Sequence, residues 1–358
     1  MRILNFVALA ILVISLSSCD DNITRSSGED RDYEILVSYG TDDPDPGYYT
    51  YVISSKYDSI LEKIPADPDY EYLTFSQDGE ILYHSCIDTD HTWATRWPDG
   101  DTIAIQAGIS GEYIELIEDN NWIILREYSS IIVLDASTLE IVVQLDGGKF
   151  SNTFSPDRSK ILFHDGSPAG LYYYDLTESP PSLHEKDLYD ENNNSLASEK
   201  FCTRSDCDSI FAIVETSQND YRLAIIEPDN LEVIKTIDIP YHAGYWQGDM
   251  ILHPDKKRLY FCNRGNYITY DDSGIDPGII YEYDLIEDKL TVLMDEEIFG
   301  GSVTCYDLEF SPDYNYLYAG VWSSLVRINI KGKKPNHEIM ADVCCPVDIA
   351  INPELRED

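Results

Sequence analysis

Phe154-Ser155-Pro156-Asp157 runs into Lys160-Ile161-Leu162-Phe163, and Phe310-Ser311-Pro312-Asp313 runs into Tyr316-Leu317-Tyr318. Looser copies read Leu252-His253-Pro254-Asp255 before Arg258-Leu259-Tyr260-Phe261, and Phe75-Ser76-Gln77-Asp78 before Glu80-Ile81-Leu82-Tyr83. Each copy is the end of one strand, a tight turn and a second strand: Pro presets φ, and Asp bonds forward to the backbone. A last copy, Ile349-Ala350-Ile351-Asn352-Pro353-Glu354, has no second strand before Asp358. A repeat that stops after one strand predicts a ring whose final unit is completed by strands from the N-terminus.

Aligned on this turn, the chain divides into units spanning 71–106, 112–145, 150–187, 198–238, 248–294 and 305–341. Glu118-Asp119-Asn120-Asn121 replaces the turn in the second unit and Ser205-Asp206-Cys207-Asp208 in the fourth. Third strands close on Asp, as in Ile132-Val133-Leu134-Asp135 and Tyr281-Glu282-Tyr283-Asp284. The remainder is one C-terminal strand, 346–351, and three N-terminal strands within 33–64. One plus three makes a seventh four-stranded unit, and radially repeated four-stranded sheets are propeller blades. The fold class expected is therefore all-β: a seven-bladed β-propeller of four-stranded antiparallel blades, closed by the C-terminal strand. The 27 tyrosines and the absence of long helical periodicity agree with this.

The 358-residue chain is 43% hydrophobic, enough for a large core, and carries a formal net charge of −41. So acidic a surface repels phosphates and excludes nucleic acid as a partner. The same charge attracts cations or a basic partner. At the N-terminus, Arg2 precedes an apolar run from Ile3 to Leu16 that is too short for a comfortable membrane span. The ending Leu16-Ser17-Ser18-Cys19 resembles the bacterial lipoprotein lipobox. That resemblance implies a signal peptide over 1–18, a diacylglyceryl thioether on Cys19, a polar tether over 19–32 and a propeller over 33–358. Localisation is then the bacterial cell envelope, outside the cytoplasm, on a lipid anchor. The repeats themselves resemble the YVTN-type and TolB-like propeller repeats of bacteria, with a Phe-Ser-Pro-Asp-Gly turn before a Leu-Tyr strand. Here the turn glycine occurs only as Gly79.

Seven cysteines follow Cys19, none with Cys-x-x-Cys spacing, so no zinc or thioredoxin-type site is supported. Cys202 and Cys207 flank a short turn that a disulfide would bridge, and Cys344-Cys345 are adjacent. Asp249, Asp307 and Asp348 each stand five residues before a turn proline, at the start of the innermost strand of three successive blades. They are expected at the channel mouth, where an oxygen-rich cluster suits Ca2+. Tyr241, His242, Tyr245 and Trp246 lie in one loop, and Asn263 and Arg264 open a long insertion reaching Pro277. His84 and His164 each follow the second-strand Leu-Tyr or Leu-Phe pair. Together these residues form the candidate ligand-binding set. No nucleophile elbow, metalloprotease helix or phosphate-binding glycine loop is present. The leading expectation is a non-catalytic binding or scaffolding lipoprotein that takes a protein, peptide or glycan on its loop-rich channel face. The alternative is a lactonase-like hydrolase using His, Arg and Asp groups at the channel mouth, which requires those groups to share one pocket.

Overall fold

A computed structural model of the protein describes residues 32–39, 49–65, 71–86, 89, 91–111, 113–117, 120–127, 130–147, 151–164, 170–204, 206–216, 220–240, 248–263, 278–300, 303–321, 324–332, 336–343 and 346–353. Seven separate antiparallel sheets are formed. Blades I to VI occupy 71–107, 114–146, 151–186, 188–238, 250–294 and 305–341. Blade VII has the order Pro346–Ile351, Glu34–Tyr39, Tyr49–Ser54, Ser59–Pro65, so its innermost strand comes from the far end of the chain. The seven-bladed ring and its shared last blade are as the repeat predicts. α-Helix is confined to Glu296–Phe299 among the described residues.

Period-two alternation builds the core. Successive residues of a strand face opposite sides of its sheet, and in a ring the two sides belong to two different seams. Ile123 and Leu125 join Tyr83 and Ala94 of blade I, whereas Ile124 between them joins Phe154 and Ile161 of blade III. Seven apolar clusters result, each spanning one seam. This explains why strands such as Ile131-Ile132-Val133-Leu134 are apolar throughout instead of alternating with polar residues: both faces are covered.

The turn owes more to its serine than the spacing of Pro and Asp reveals. Ser155 Oγ donates to Asp157 Oδ1 at 2.6 Å and accepts from Lys160 N at 2.9 Å. Ser76 and Ser311 repeat both bonds in blades I and VI. The next residue has positive φ: Gly79 at 72°, but Arg158 at 61°, Lys256 at 56° and Tyr314 at 56°. After the turn aspartate, blades III, V and VI thus hold a non-glycine residue in the left-handed region.

Three differences from the sequence reading concern local order. Blade IV adds a two-residue strand, Leu188–Tyr189, folded back on the start of Ser195–Cys202 by a turn in which Asp190 accepts from the amides of Asn192 and Asn194. Cys202 and Cys207 are free thiols, not a disulfide; Cys202 is buried in the cluster of the blade IV–V seam. Asp32, expected at the end of the tether, is buried in blade VII and accepts from Ser54 Oγ at 2.8 Å. The signal segment, Cys19, the rest of the tether and Cys344-Cys345 lie outside the described residues.

Gly278 marks a close backbone approach. A Cβ there would stand 1.7 Å from the Val303 carbonyl oxygen and 2.8 Å from that of Asn263. Gly278→Ala must therefore push blade V from blade VI at the backbone level, and is expected to cost roughly 3 kcal/mol or more, read as a lower midpoint in urea unfolding with unchanged m. A midpoint equal to that of the parent protein would show that the seam yields freely.

Candidate functional site

The inner strands of all seven blades surround a channel cavity of about 410 Å³. The predicted aspartates reach it: Asp249, Asp307 and Asp348 all line the wall. Glu115, Lys200, Glu309 and Asn152 line it too, and none of these was singled out by the spacing argument. The described lining runs from the aspartate tier to the turn residues Ser76 and Ser311. The aspartates stand near the starts of their strands, on the side of the loops that enter them, and the turn residues at the far end.

Two of the aspartates also tie blades together. Asp307 Oδ2 accepts from Ile349 N and Asp348 Oδ2 from Leu73 N, both at 2.7 Å, so each clasps the inner strand of the following blade. Asp249 instead pairs with Lys200 Nζ at 2.9 Å. Tyr113 donates to Glu115 Oε2 at 2.9 Å, and the Lys200 ammonium lies 5.8 Å from the centre of the Tyr113 ring. No three His, Cys, Asp or Glu side chains among the described residues are placed to hold a metal ion. The three aspartates share one channel without forming a single ligand set, and the Ca2+ expectation finds no support in their arrangement.

Crowding of like charges dominates the electrostatics. Burial, then repulsion from Asp249, Asp348 and Glu115, pushes Glu309 up to about 8. Burial pushes Asp348 up to about 8, with Asp249 and Glu71 adding to the effect against the hydrogen bond from Leu73 N. Asp307 rises well above the usual carboxylate range for want of solvation and because Asp348 and Asp249 are near. Burial raises Glu115, moderated by the Tyr113 hydroxyl. Burial works against the Lys200 charge, but Asp249 more than restores it. The channel thus holds protonated carboxyls at neutral pH beside one ammonium–carboxylate pair.

Asn152 supplies the other chemical feature. It is 7% exposed, and neither its amide oxygen nor its amide nitrogen has a hydrogen-bond partner in the protein. A buried amide left unpaired is costly, and since neither amide atom is accessible to solvent the cost falls on the fold beside the channel.

His84 departs from expectation. It lies in a second cavity, a groove of about 1080 Å³ between blades VII and I, away from the three aspartates. Its Nδ1 is 2.8 Å from Glu71 Oε1 and its Nε2 is 2.9 Å from Thr95 Oγ1, while its ring stacks on Trp93 with centres 4.8 Å apart. Thr50 of blade VII donates to Glu71 Oε2 at 2.7 Å, so this chain of bonds crosses the closing seam. His164 is buried, 3.9 Å from Glu199, and lines neither cavity. Asn263 is buried and accepts from Ile279 N at 2.7 Å, a link within blade V. Tyr241, His242, Tyr245, Trp246 and Arg264 lie outside the described residues. The His-containing set therefore does not assemble with the aspartates. The charged groups that were missed carry one sequence signal: each interrupts an apolar inner strand within four residues of its end, as in Ile114-Glu115-Leu116-Ile117, Glu199-Lys200-Phe201-Cys202 and Leu308-Glu309-Phe310.

No family model and no curated protein matches the chain. Solved structures do. The periplasmic gluconolactonase of Pseudomonas aeruginosa superposes with a TM-score of 0.63 at 16% identity, over 90% of this chain and 99% of that one. A provisionally assigned 6-phosphogluconolactonase of Bacteroides uniformis gives 0.62 at 16%, over 90% and 100%. Hydrazine synthase of Kuenenia stuttgartiensis gives 0.61 at 14%, over 79% and 89%. Proteins of such different chemistry share the blade architecture, so the likeness is one of fold: the chain is a seven-bladed β-propeller similar in architecture to gluconolactonase-like propellers.

Proposed function

We propose that this protein is a non-catalytic binding propeller, carried at the bacterial cell envelope by a lipid on Cys19, with its ligand seated in the channel. The observation that carries the reading is the channel itself: a cavity of about 410 Å³ lined by all seven inner strands, with Lys200, Arg204 and five carboxyl side chains among its lining residues. A concave site lined by a few convergent polar groups is set up for a polar ligand. Thermal-shift screening of small polar compounds against the protein and its Lys200→Met variant tests this. A compound that raises the melting temperature of the parent saturably, and the variant by less than half as much, is the expected result. If every stabilising compound acts equally on both proteins, the channel is not the site. Loss of labelled-palmitate incorporation in Cys19→Ala tests the anchor.

A lactonase reading draws support from the gluconolactonase-like neighbours and from Glu309, whose pKa near 8 suits a general acid at neutral pH. Against a phosphorylated lactone stands the wall itself, where five carboxyls outnumber the two cations, Lys200 and Arg204. Hydrolysis of unphosphorylated gluconolactone above the rate in water, abolished by Glu309→Gln, would move the assignment to this reading.

A further inference from the structure

Two buried thiols meet in the seam between blades V and VI. Cys262 stands in the second strand of blade V, Arg258–Asn263, and Cys305 opens the inner strand of blade VI, Cys305–Phe310. Both are free thiols, at most 1% exposed, and both belong to the apolar cluster that fills this seam. The Cys262 side chain is aimed at blade VI: its Sγ donates to the Cys305 carbonyl oxygen at 3.8 Å. From behind, the Asp249 amide donates to the same sulfur at 3.2 Å, and a Cβ at Gly248 would stand 2.8 Å from it. The Cys305 thiol donates to the Asp307 carbonyl oxygen at 3.7 Å. The register of its strand shifts between Cys305 and Asp307, so Cys305 stands at an irregularity and not within a regular ladder. Burial first, then hydrogen bonding with the Cys262 thiol, holds Cys305 well above the usual thiol range. Cys202 and Cys207 share a cluster as well, but neither is among the groups that act on the other's thiol.

We propose that Cys262 and Cys305 are a disulfide-forming pair, oxidised by an external disulfide to a bond that staples blade V to blade VI. The pairing does not depend on what the channel binds, and the cell-envelope location proposed above is a compartment where such oxidants act. One cysteine loses its proton to water and attacks a sulfur of the oxidant, whose other sulfur leaves as a thiolate. The second cysteine, deprotonated in turn, attacks the protein sulfur of this mixed disulfide, forms the Sγ–Sγ bond and expels the oxidant's remaining sulfur. The protein gives up two electrons and two protons, and the oxidant becomes two thiols. The two weak S–H donations are lost, while the Asp249 amide keeps a sulfur to donate to. The bond joins residues 43 apart in the chain and so restricts the unfolded state. Because both thiols are sealed in the seam and Cys305 is held protonated, the exchange belongs to the folding chain and not to the finished ring.

The test is to export the full chain to a bacterial periplasm, block free thiols during isolation and map its peptides without reduction. The expected result is one peptide pair joined through Cys262 and Cys305 in most molecules. A phosphine reductant should lower the urea midpoint of this protein by about 0.5–1 M and leave that of Cys305→Ser unchanged. The map is made on the parent chain, so it decides the pairing even if the variant does not fold. Both cysteines found blocked, or either found joined to a different cysteine, overturns the proposal. A Cys262–Cys305 bond whose reduction leaves the midpoint in place overturns the staple. None of these results bears on the channel reading, which the thermal-shift screen decides.

Discussion

A chain ending before Pro346 is expected to lose the cooperative melting transition of the intact protein, or to melt far below it. The strand Pro346–Ile351 is the inner strand of blade VII and pairs along Glu34–Tyr39, from Ile35 opposite Ile351 to Tyr39 opposite Pro346. Its deletion opens the ring and bares a strand edge. It also strips two seams at once. Ile349 belongs to the cluster shared with Tyr318 and Leu325 of blade VI, and Ala350 to the cluster shared with Leu73, Phe75 and Leu82 of blade I. The clasps Asp307–Ile349 N and Asp348–Leu73 N disappear with it. Loss of one buried Ile alone costs about 2–5 kcal/mol, so the whole strand is worth roughly 5 kcal/mol or more. A chain ending at Pro353 keeps the strand and is the control. Hydrogen exchange should show the loss of protection concentrated in 34–65. If the shorter chain melts like the control, blade VII does not close the ring.

Replacing Asp348 by Asn should stabilise the protein above neutrality and flatten its dependence on pH. In the folded protein Asp348 titrates near 8, against an ordinary value of 3.8. Between those values the unfolded chain has given up its proton and the folded one retains it. Stability from this group is therefore complete below about pH 4 and drains away as the pH rises through 8. Glu309, at about 8, and Asp307, also raised, act in the same direction. The turn aspartates oppose them at the acid end. Hydrogen bonds from Ser155 and Ser159 outweigh burial and hold Asp157 down at about 2, and the Ser76 hydroxyl lowers Asp78. Their contribution is present above pH 4 and is lost as the pH falls towards 2. The two groups together place maximum stability near pH 4. Asn at 348 keeps an oxygen for the Leu73 amide but cannot ionise. At pH 8.5 the variant should gain on the order of 1–3 kcal/mol over the parent, discounted from the full shift because the channel admits water, with little change at pH 4.5. Melting curves at the two pH values decide it. Equal slopes in parent and variant would mean that Asp348 is already ionised at neutral pH.

How far the site was legible depends on how each residue is brought to it. Asp249, Asp307 and Asp348 were found by counting back from a proline, because an inner strand of fixed length carries equivalent residues to equivalent heights in the channel. Lys200 escaped the count: the register of its strand shifts between Ser198 and Lys200, so its side chain is re-aimed by a bulge that no residue type announces. Asn152 and Glu309 read as ordinary strand residues until the blades are set in a circle. His84 was assigned to the wrong cavity for a related reason. Its place after Leu82-Tyr83 locates it along a strand, but whether its side chain enters the channel or a seam depends on the facing blade.

Local chemistry was sufficient for everything that repeats. The Ser-Pro-Asp turn, the apolar pairs behind it and the unfinished last copy determined the strand order, the number of blades and the way the ring closes, because each rests on hydrogen bonds and φ values within a dozen residues. Tertiary structure alone decided which carboxyls meet, which of them are clasped to a neighbouring blade, and that Asn152 is left without a partner. Those outcomes are sums over residues from different blades, as far apart as Glu115 and Asp348 in the chain, and a Coulomb or solvation energy has no local signature.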